Sequence, residues 1–348
     1  MMGLITYSGI ATKIRAMESR LFTPQQFREM AVLEDVRSAA DYLKQQPAYA
    51  DIFTRLNDNQ LHRGNIEFLL TRSEYQDFAR LYRFSGLSQR RFLDLYFMHY
   101  EINIIRRVLH NVMSGKPEAI DLSDFQQFFD RHSSIDLVKL AQAENLGEFA
   151  AELKGSSYDM LFSQSDPERP LSLTEYEIRL DLLYFNTMWK VKDKILTGQE
   201  RKIIRHCFGS RLDLLNIQWI YRSKKYYRLP ASDIYALLIP VKYKLRTEQI
   251  RRMAEAPSLE EFFSLLSATH YGKLPEAQWS GQPDVEGMYQ QILNRIYNST
   301  GRRYPYTIAV IDSYLYAKER EIRRIIATIE GIRYGLDPDA IIDMASKQ

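Results

Sequence analysis

The chain predicts an all-α protein made of three homologous helical domains. Three observations predict it. Helical spacing of apolar residues recurs along the 348 residues, whereas no run shows sustained period-2 alternation with hairpin turns. One motif occurs three times. Its copies, starting at Ala31, Ala141 and Ala254, stand 110 and 113 residues apart, which is domain-sized and far beyond the roughly 20–50 residues of a solenoid repeat. A composition of 45% hydrophobic and 26% charged residues fits packed domains rather than a disordered chain.

The copies read AVLEDVRSAADYLKQQPAYADIF, AQAENLGEFAAELKGSSYDMLF and AEAPSLEEFFSLLSATHYGKLPE. Asp35, Asn145 and Ser258 fall at the same offset. Each has a short side-chain oxygen that caps the first turn of a helix. Three residues on stand Ser38, Glu148 and Glu261, so the second and third copies resemble capping boxes. Apolar pairs four apart follow: Ala39 and Leu43, Phe149 and Leu153, Phe262 and Leu266. Then comes a tyrosine, Tyr49, Tyr158 or Tyr271. Upstream, Met30, Leu140 and Met253 precede the alanines, and Phe27, Leu137 and Ile250 lie three before them. Each copy predicts a helix end, a short capped helix and a tyrosine-marked turn.

Long helical patterns separate the copies, beginning near Ile66, Tyr176 and Val285. Each contains an acidic residue some 35 positions after its first: Glu67 then Glu101, Glu177 then Asp213, Glu286 then Glu321. The last pattern has no capped helix after it, and the N-terminal capped helix has only ATKIRAMESRL before it. The two ends are therefore expected to complete one another, closing three domains around a pseudo-threefold axis. The expected divisions are 1–60 (N-terminal segment completing the last domain), 61–165, 166–277 and 278–348 (C-terminal helical pair), with linkers near 54–65, 163–175 and 275–284. Tyr outnumbers Phe, 23 to 17, which predicts many half-buried rings with wet hydroxyls.

Motifs for chemistry are missing. Neither GxxxxGK[ST] nor GxGxxG nor GxSxG occurs, and no aspartate-rich magnesium-diphosphate motif is present. His62, His99, His110, His132, His206 and His270 form no metal-ligand spacing. Cys207, the single cysteine, excludes an internal disulfide and fits a reducing compartment. It reads as a buried structural residue rather than a nucleophile. No catalytic, cofactor or metal site is expected. The N-terminus lacks a signal-peptide core, and the longest clear apolar run, IYALLIPV, is far short of the ~20 residues of a membrane helix.

Charge is near balance at +3, but cations cluster at Arg106–Arg107, Arg201–Arg205, Tyr221–Arg228 (YRSKKYYR), Arg251–Arg252, Arg302–Arg303 and Arg323–Arg324. Arginine pairs at the ends of long helices would favour the negative end of the helix dipole. The basic–aromatic stretch 221–228 admits a second reading, a helical nucleic-acid-binding protein. The balanced charge and the threefold repeat argue against it.

YSGIATKIRAMESRLFTPQQF, RLDLLNIQWIYRSKKYY and SLEEFFSLLSATHY resemble the C subunit of A/V-type rotary ATPases, the counterpart of the d (AC39) subunit of the eukaryotic vacuolar proton pump. The pattern Ala11, Lys13, Ile14, Arg15, Ala16, Met17 and the signature Asp213, Asn216, Ile217, with Arg222 after it, carry the resemblance. In the first copy, YEINIIRR puts Tyr100 where the Asp falls, Glu101 next, and keeps Asn103; the third copy lacks the Asn. The resemblance covers essentially the whole chain. It implies a funnel of three helical domains with no catalytic activity of its own, peripheral on the cytoplasmic face of the membrane. Such a subunit takes up the tip of the central shaft (D- and F-type subunits) and sits on the membrane rotor ring of proteolipid subunits. On that reading the helices carrying Asn103, Asn216 and Arg222, with Arg15, line the socket, the aromatics near YYRLP (Tyr226 and Tyr227) meet the ring, and Arg106, Lys224 and Lys225 belong to the shaft-or-ring interface with no side assigned. Arg323 and Arg324 complete the expected interface.

Overall fold

A computed structural model describes residues 2–54, 61–115, 120, 122, 126–163, 171–279 and 283–348. Parts of the three expected linkers, 55–60, 164–170 and 280–282, lie outside the described residues. Among the described residues the secondary structure is helical throughout, with no strand. In chain order the helices are α1 (Met2–Glu18), α2 (Pro24–Ala31), α3 (Val36–Lys44), α4 (Ala50–Phe53), α5 (Arg63–Phe84) and α6 (Leu87–Ser114). Next come α7 (Gln126–His132), α8 (Leu137–Leu140), α9 (Leu146–Glu152), α10 (Asp159–Ser163), α11 (Leu173–Ile195) and α12 (Gly198–Arg222). The last are α13 (Ala231–Leu237), α14 (Thr247–Glu255), α15 (Leu259–Ser267), α16 (Val285–Arg303), α17 (Ile308–Arg333) and α18 (Pro338–Ser346). They form two compact bodies. The larger comprises Met1–Gly86, Gly198–Tyr235 and Lys242–Gln348; the smaller comprises Leu87–Thr197 and Ala236–Val241.

The short helices start where their caps require. Asp35, Asn145 and Ser258 accept from the amides of Ser38, Glu148 and Glu261, so α3, α9 and α15 begin at equivalent points. The capping boxes expected at Asn145 and Ser258 do not close. The Glu148 carboxylate takes the Glu144 amide and the Asn145 side-chain amide instead of the cap's own N–H. Full boxes form at Thr23–Gln26, which starts α2, and at Ser172–Glu175, which starts α11. α17 ends in a turn with Gly335 at φ 63, the left-handed region open to glycine.

The repeated tyrosines and acids, noted separately in the sequence, meet in pairs. Tyr158 Oη donates to Glu101 Oε2 at 2.9 Å and Tyr271 Oη to Asp213 Oδ2 at 3.0 Å; the tyrosines lie 57 and 58 residues downstream of their acids. For Glu321 the partner lies upstream in the chain: it receives Tyr49 Oη, at 2.8 Å across 272 residues. All three rings are fully buried, so the half-wet hydroxyls expected from the tyrosine excess do not apply to them. Each acid also holds chain just upstream of the capped helices. Glu321 takes the Phe22 amide at 2.5 Å, and Asp213 takes the amides of Tyr243, Lys244 and Leu245 at 2.6–3.1 Å. The Ser133 hydroxyl stands beside Glu101 and favours its ionised form. Burying a tyrosine ring removes about 150–250 Å², roughly 4–6 kcal/mol of gross apolar burial. The polar ends are tolerable inside only because they satisfy one another.

The register of the first copy follows from this pairing. Glu101, not Tyr100, does what Asp213 does, since it is Glu101 that receives the tyrosine. Asn103 is then one residue out of step with Asn216, about 100° away around the helix. In the third copy Arg324 stands three after Glu321, where Asn216 stands three after Asp213.

Helix packing has one repeated rule: the second long helix of one copy lies on the first long helix of the next. In the smaller body α6 packs on α11. In the larger body α12 packs on α16, and α17 packs on both α16 and α5. α17 is the hub of that body and also touches α1, α2, α3 and α18. Chain ends share one core: Phe22, Phe27, Leu43, Tyr49, Phe53 and Leu70 pack with Ile322, Ile325, Ile329 and Ile341.

Candidate partner-binding surfaces

α12 does not simply stop. Its last turn widens into a five-residue π-helical turn, Ser223–Tyr227, closed by Arg228 in the left-handed conformation (φ 50, ψ 40) and followed by Pro230. A π-turn carries an extra residue per turn and re-aims the side chains that follow it. Here it splits the stretch SKKYY between two directions. Ser223 is buried, and Lys224 Nζ reaches back to the Ala256 carbonyl at 2.6 Å. Tyr226 and Tyr227 turn outward, 56% and 71% exposed. Lys225 Nζ lies over the rings of Tyr221 and Tyr226 at 5.1 and 5.0 Å and donates to Tyr221 Oη at 2.7 Å. Tyr221 in turn stacks on Phe262 of α15, with centroids 6.0 Å apart. The turn thus rests on the third copy's capped helix. Beside it a cleft of about 350 Å³ has Tyr221, Lys225 and Tyr226 on one wall and Asp284, Glu286 and Lys347 on the other. Arg222 Nε pairs with Glu286 at 2.8 Å next to this cleft.

Of the residues named from sequence, the structure gathers Arg222, Lys224, Lys225, Tyr226 and Tyr227 at this one place. Because Arg222, Lys224 and Lys225 have partners inside the chain, the stretch is a structured aromatic surface rather than a set of mobile cations. Arg15 is exposed in the last turn of α1, where it acts on Glu18. Asn216 is fully buried on α12 and offers a partner no surface. Asn103 and Arg106 belong to the smaller body. Asn103 lies 3.2 Å from His99 Nε2, and Arg106 pairs with Asp181 of α11.

Arg323 and Arg324 sit in the middle of α17, not at a helix end, because α17 runs on to Arg333. Arg106–Arg107 are likewise inside α6, and Arg201–Arg205 open α12. The dipole explanation holds for Arg302–Arg303, in the last turn of α16. Arg323 and Arg324 have neighbours that sequence reading missed, Arg320 on the same helix and Arg211 on α12. Both Arg211 and Arg323 pair with Glu319, at 3.3 and 3.4 Å. Arginines at i, i+3 and i+4 were visible in EREIRR; their half-buried setting was not.

The chemical candidates are structural. Cys207 is buried, and burial drives its thiol well above the usual range, so it is no thiolate nucleophile. Among the described residues no group of His, Cys, Asp or Glu is arranged to hold a metal, and no helix is long and apolar enough to cross a membrane.

Comparison with known proteins agrees with the repeat architecture in extent. The chain is 26% identical to the C subunit of the A-type ATP synthase of Pyrococcus abyssi, over 98% of this chain and 90% of that protein. It is 24% identical to the corresponding protein of Desulfurococcus sp. strain SY (98% and 91%) and 21% identical to that of Thermococcus kodakarensis (96% and 89%). The family model described as ATP synthase (C/AC39) subunit matches residues 10–344, from α1 through to α18. By that match the chain belongs to the ATP synthase (C/AC39) subunit family.

Proposed function

We propose that the chain is the non-catalytic adapter of an A/V-type rotary ATPase. It couples the rotating central shaft, of D- and F-type subunits, to the membrane rotor ring of proteolipid subunits. It does so on the cytoplasmic face of the membrane, during proton or sodium transport linked to ATP hydrolysis or synthesis. The observation that carries this reading is the family match over residues 10–344.

Physical features of the chain support it. A torque-bearing adapter must be stiff, because compliance stores work as internal strain. Each copy is pinned by a buried carboxylate–tyrosine pair, and the helix pairings follow one another in cyclic order, α6 with α11, α12 with α16, α17 with α5. That order supports three domains, divided near 60, 165 and 277, arranged around a pseudo-threefold axis as a funnel. The exposed Tyr226 and Tyr227 on a braced turn supply amphipathic anchors of the kind that dominate protein interfaces. On this reading Arg15, Asn103, Arg106 and Arg222 face the shaft or the ring together with the π-turn.

The test is native mass spectrometry of complexes purified through a tag on this chain from gently solubilised host membranes. Recovery with a shaft pair and a multimeric membrane ring is the expected result. Recovery alone, or with RNA, while other membrane complexes survive the same treatment, would overturn the adapter role.

A further inference from the structure

Three arginines crowd one face of α17, where the nearest carboxylates of the helix, Glu319 and Glu321, already pair with Arg211, Arg323 and Lys318; Glu321 also acts on Arg324. Arg320, Arg323 and Arg324 lie at i, i+3 and i+4, on one side of the helix. Glu319 is shared between Arg323 and Arg211 of α12. Arg320 has a long hydrogen bond, 3.4 Å, to Asn294 Oδ1 of α16. Arg324 has the Phe27 ring, 3.8 Å from its guanidinium carbon. Among the described residues neither forms an ion pair, and the Nε of each is buried without a hydrogen-bond partner. Burial holds both guanidiniums below their ordinary range, Arg324 at about 10 with Arg320 as a further cause. Half-buried cations with empty donors, beside one another, are costly in an isolated protein. A carboxylate reaching the exposed part of the two guanidiniums would offset their mutual repulsion.

We propose that this arginine row seats an acidic segment of the shaft, with carboxylates spaced three or four residues apart on a helix; the inference rests on the adapter function above. The donors are strung along the helix, with about 6 Å of rise between Arg320 and Arg324, instead of converging on one point. A row of donors matches a row of carboxylates better than it matches a single phosphate.

The experiment titrates the full-length chain with the purified shaft pair of the same complex at about 50, 150 and 300 mM salt. It compares the wild type with R320Q/R324Q, R320K/R324K and the surface control R251Q/R252Q. Wild-type affinity should fall with salt. The glutamine variant should bind at least tenfold more weakly at low salt with a flatter salt dependence, the lysine variant should fall between, and the control should match wild type. Melting of the glutamine variant within about 3 °C of wild type shows that it is folded. Wild-type affinity and salt slope in the glutamine variant would overturn the arginine row and leave the adapter role standing. Failure of the wild-type chain to bind the shaft pair would overturn the adapter role and this inference with it. Inorganic phosphate raising the melting temperature of wild type but not of the glutamine variant, with both binding the shaft equally, would assign the row to a small anion and overturn the protein partner.

Discussion

Tyr49, Tyr158 and Tyr271 each end on a buried carboxylate, and each hydroxyl is pushed up by burial and by that neighbouring charge. Removing the hydroxyl leaves the acid short of a donor. Each Tyr→Phe change is therefore expected to lower unfolding free energy by about 1.5–3 kcal/mol, measured by chemical denaturation of the full chain. A loss below about 0.5 kcal/mol at all three positions would show that the pairs are incidental. Glu74 on α5 gives a pH signature. Burial is the main cause that pushes its carboxyl up to about 8 from 4.5, with Glu319 adding to it. Asp312 is pushed up to about 7 by burial. Between about 5 and 8 the folded chain holds a proton that the unfolded chain has released, so these groups make stability fall as pH rises, by at most about 1.4 kcal/mol per pH unit each. His132, His206 and His270, held down mainly by burial, act in the opposite sense as pH falls through the imidazole range. The difference between E74Q and wild type isolates the carboxyl. Denaturation at pH 5 and pH 8 should show E74Q gaining relative to wild type at the higher pH; a constant difference would refute it. Both residue series were legible in the sequence, but their pairing was not. Spacing shows that a tyrosine recurs, whereas the partner of its hydroxyl is set by which helix lies against it.

The short capped helices were the most legible elements, because a cap is a local contract between residues three apart. Asp35, Asn145 and Ser258 all kept it. The back half of the capping box failed where a neighbouring amide offered the carboxylate an equal bond, at Glu144. The π-turn had no sequence signature, since one extra residue in a single turn leaves no period to read. Helix length was also hidden: α17 extends past the arginine pair and turns a supposed helix end into a mid-helix face. The tyrosine turn of the third copy depends on Gly272. A Cβ there would stand 2.0 Å from the Leu266 carbonyl oxygen, a backbone atom that cannot swing aside. Gly272→Ala should cost at least about 2 kcal/mol, read as a lower melting temperature. An unchanged melting temperature would mean that the turn relaxes freely.

At the scale of the molecule, the all-α class was readable from helical spacing without period-2 alternation, and the packing of Phe22–Leu70 against Ile322–Ile341 from the odd accounting of the repeats. The division into two compact bodies was not, because contact density does not follow the copy boundaries. α18 buries its own Ile341 in the core shared by both ends, and its Ala345 is buried too. A chain ending at Asp337 should therefore melt lower and bind an apolar dye that the full chain excludes. Equal dye binding by both chains would show that α18 is dispensable.

The shared core also sets an order of events at the ribosome. Phe22 through Leu70 cannot meet Ile322 through Ile341 until about 250 further residues have been made, roughly ten to fifty seconds at cellular rates of elongation. For that interval the nascent N-terminal segment exposes the apolar faces of α2, α3 and α5 with no mate in sight. It is the part of the chain with most to gain from a holding chaperone, and a stalled or prematurely terminated chain would leave those faces permanently uncovered for quality control to find.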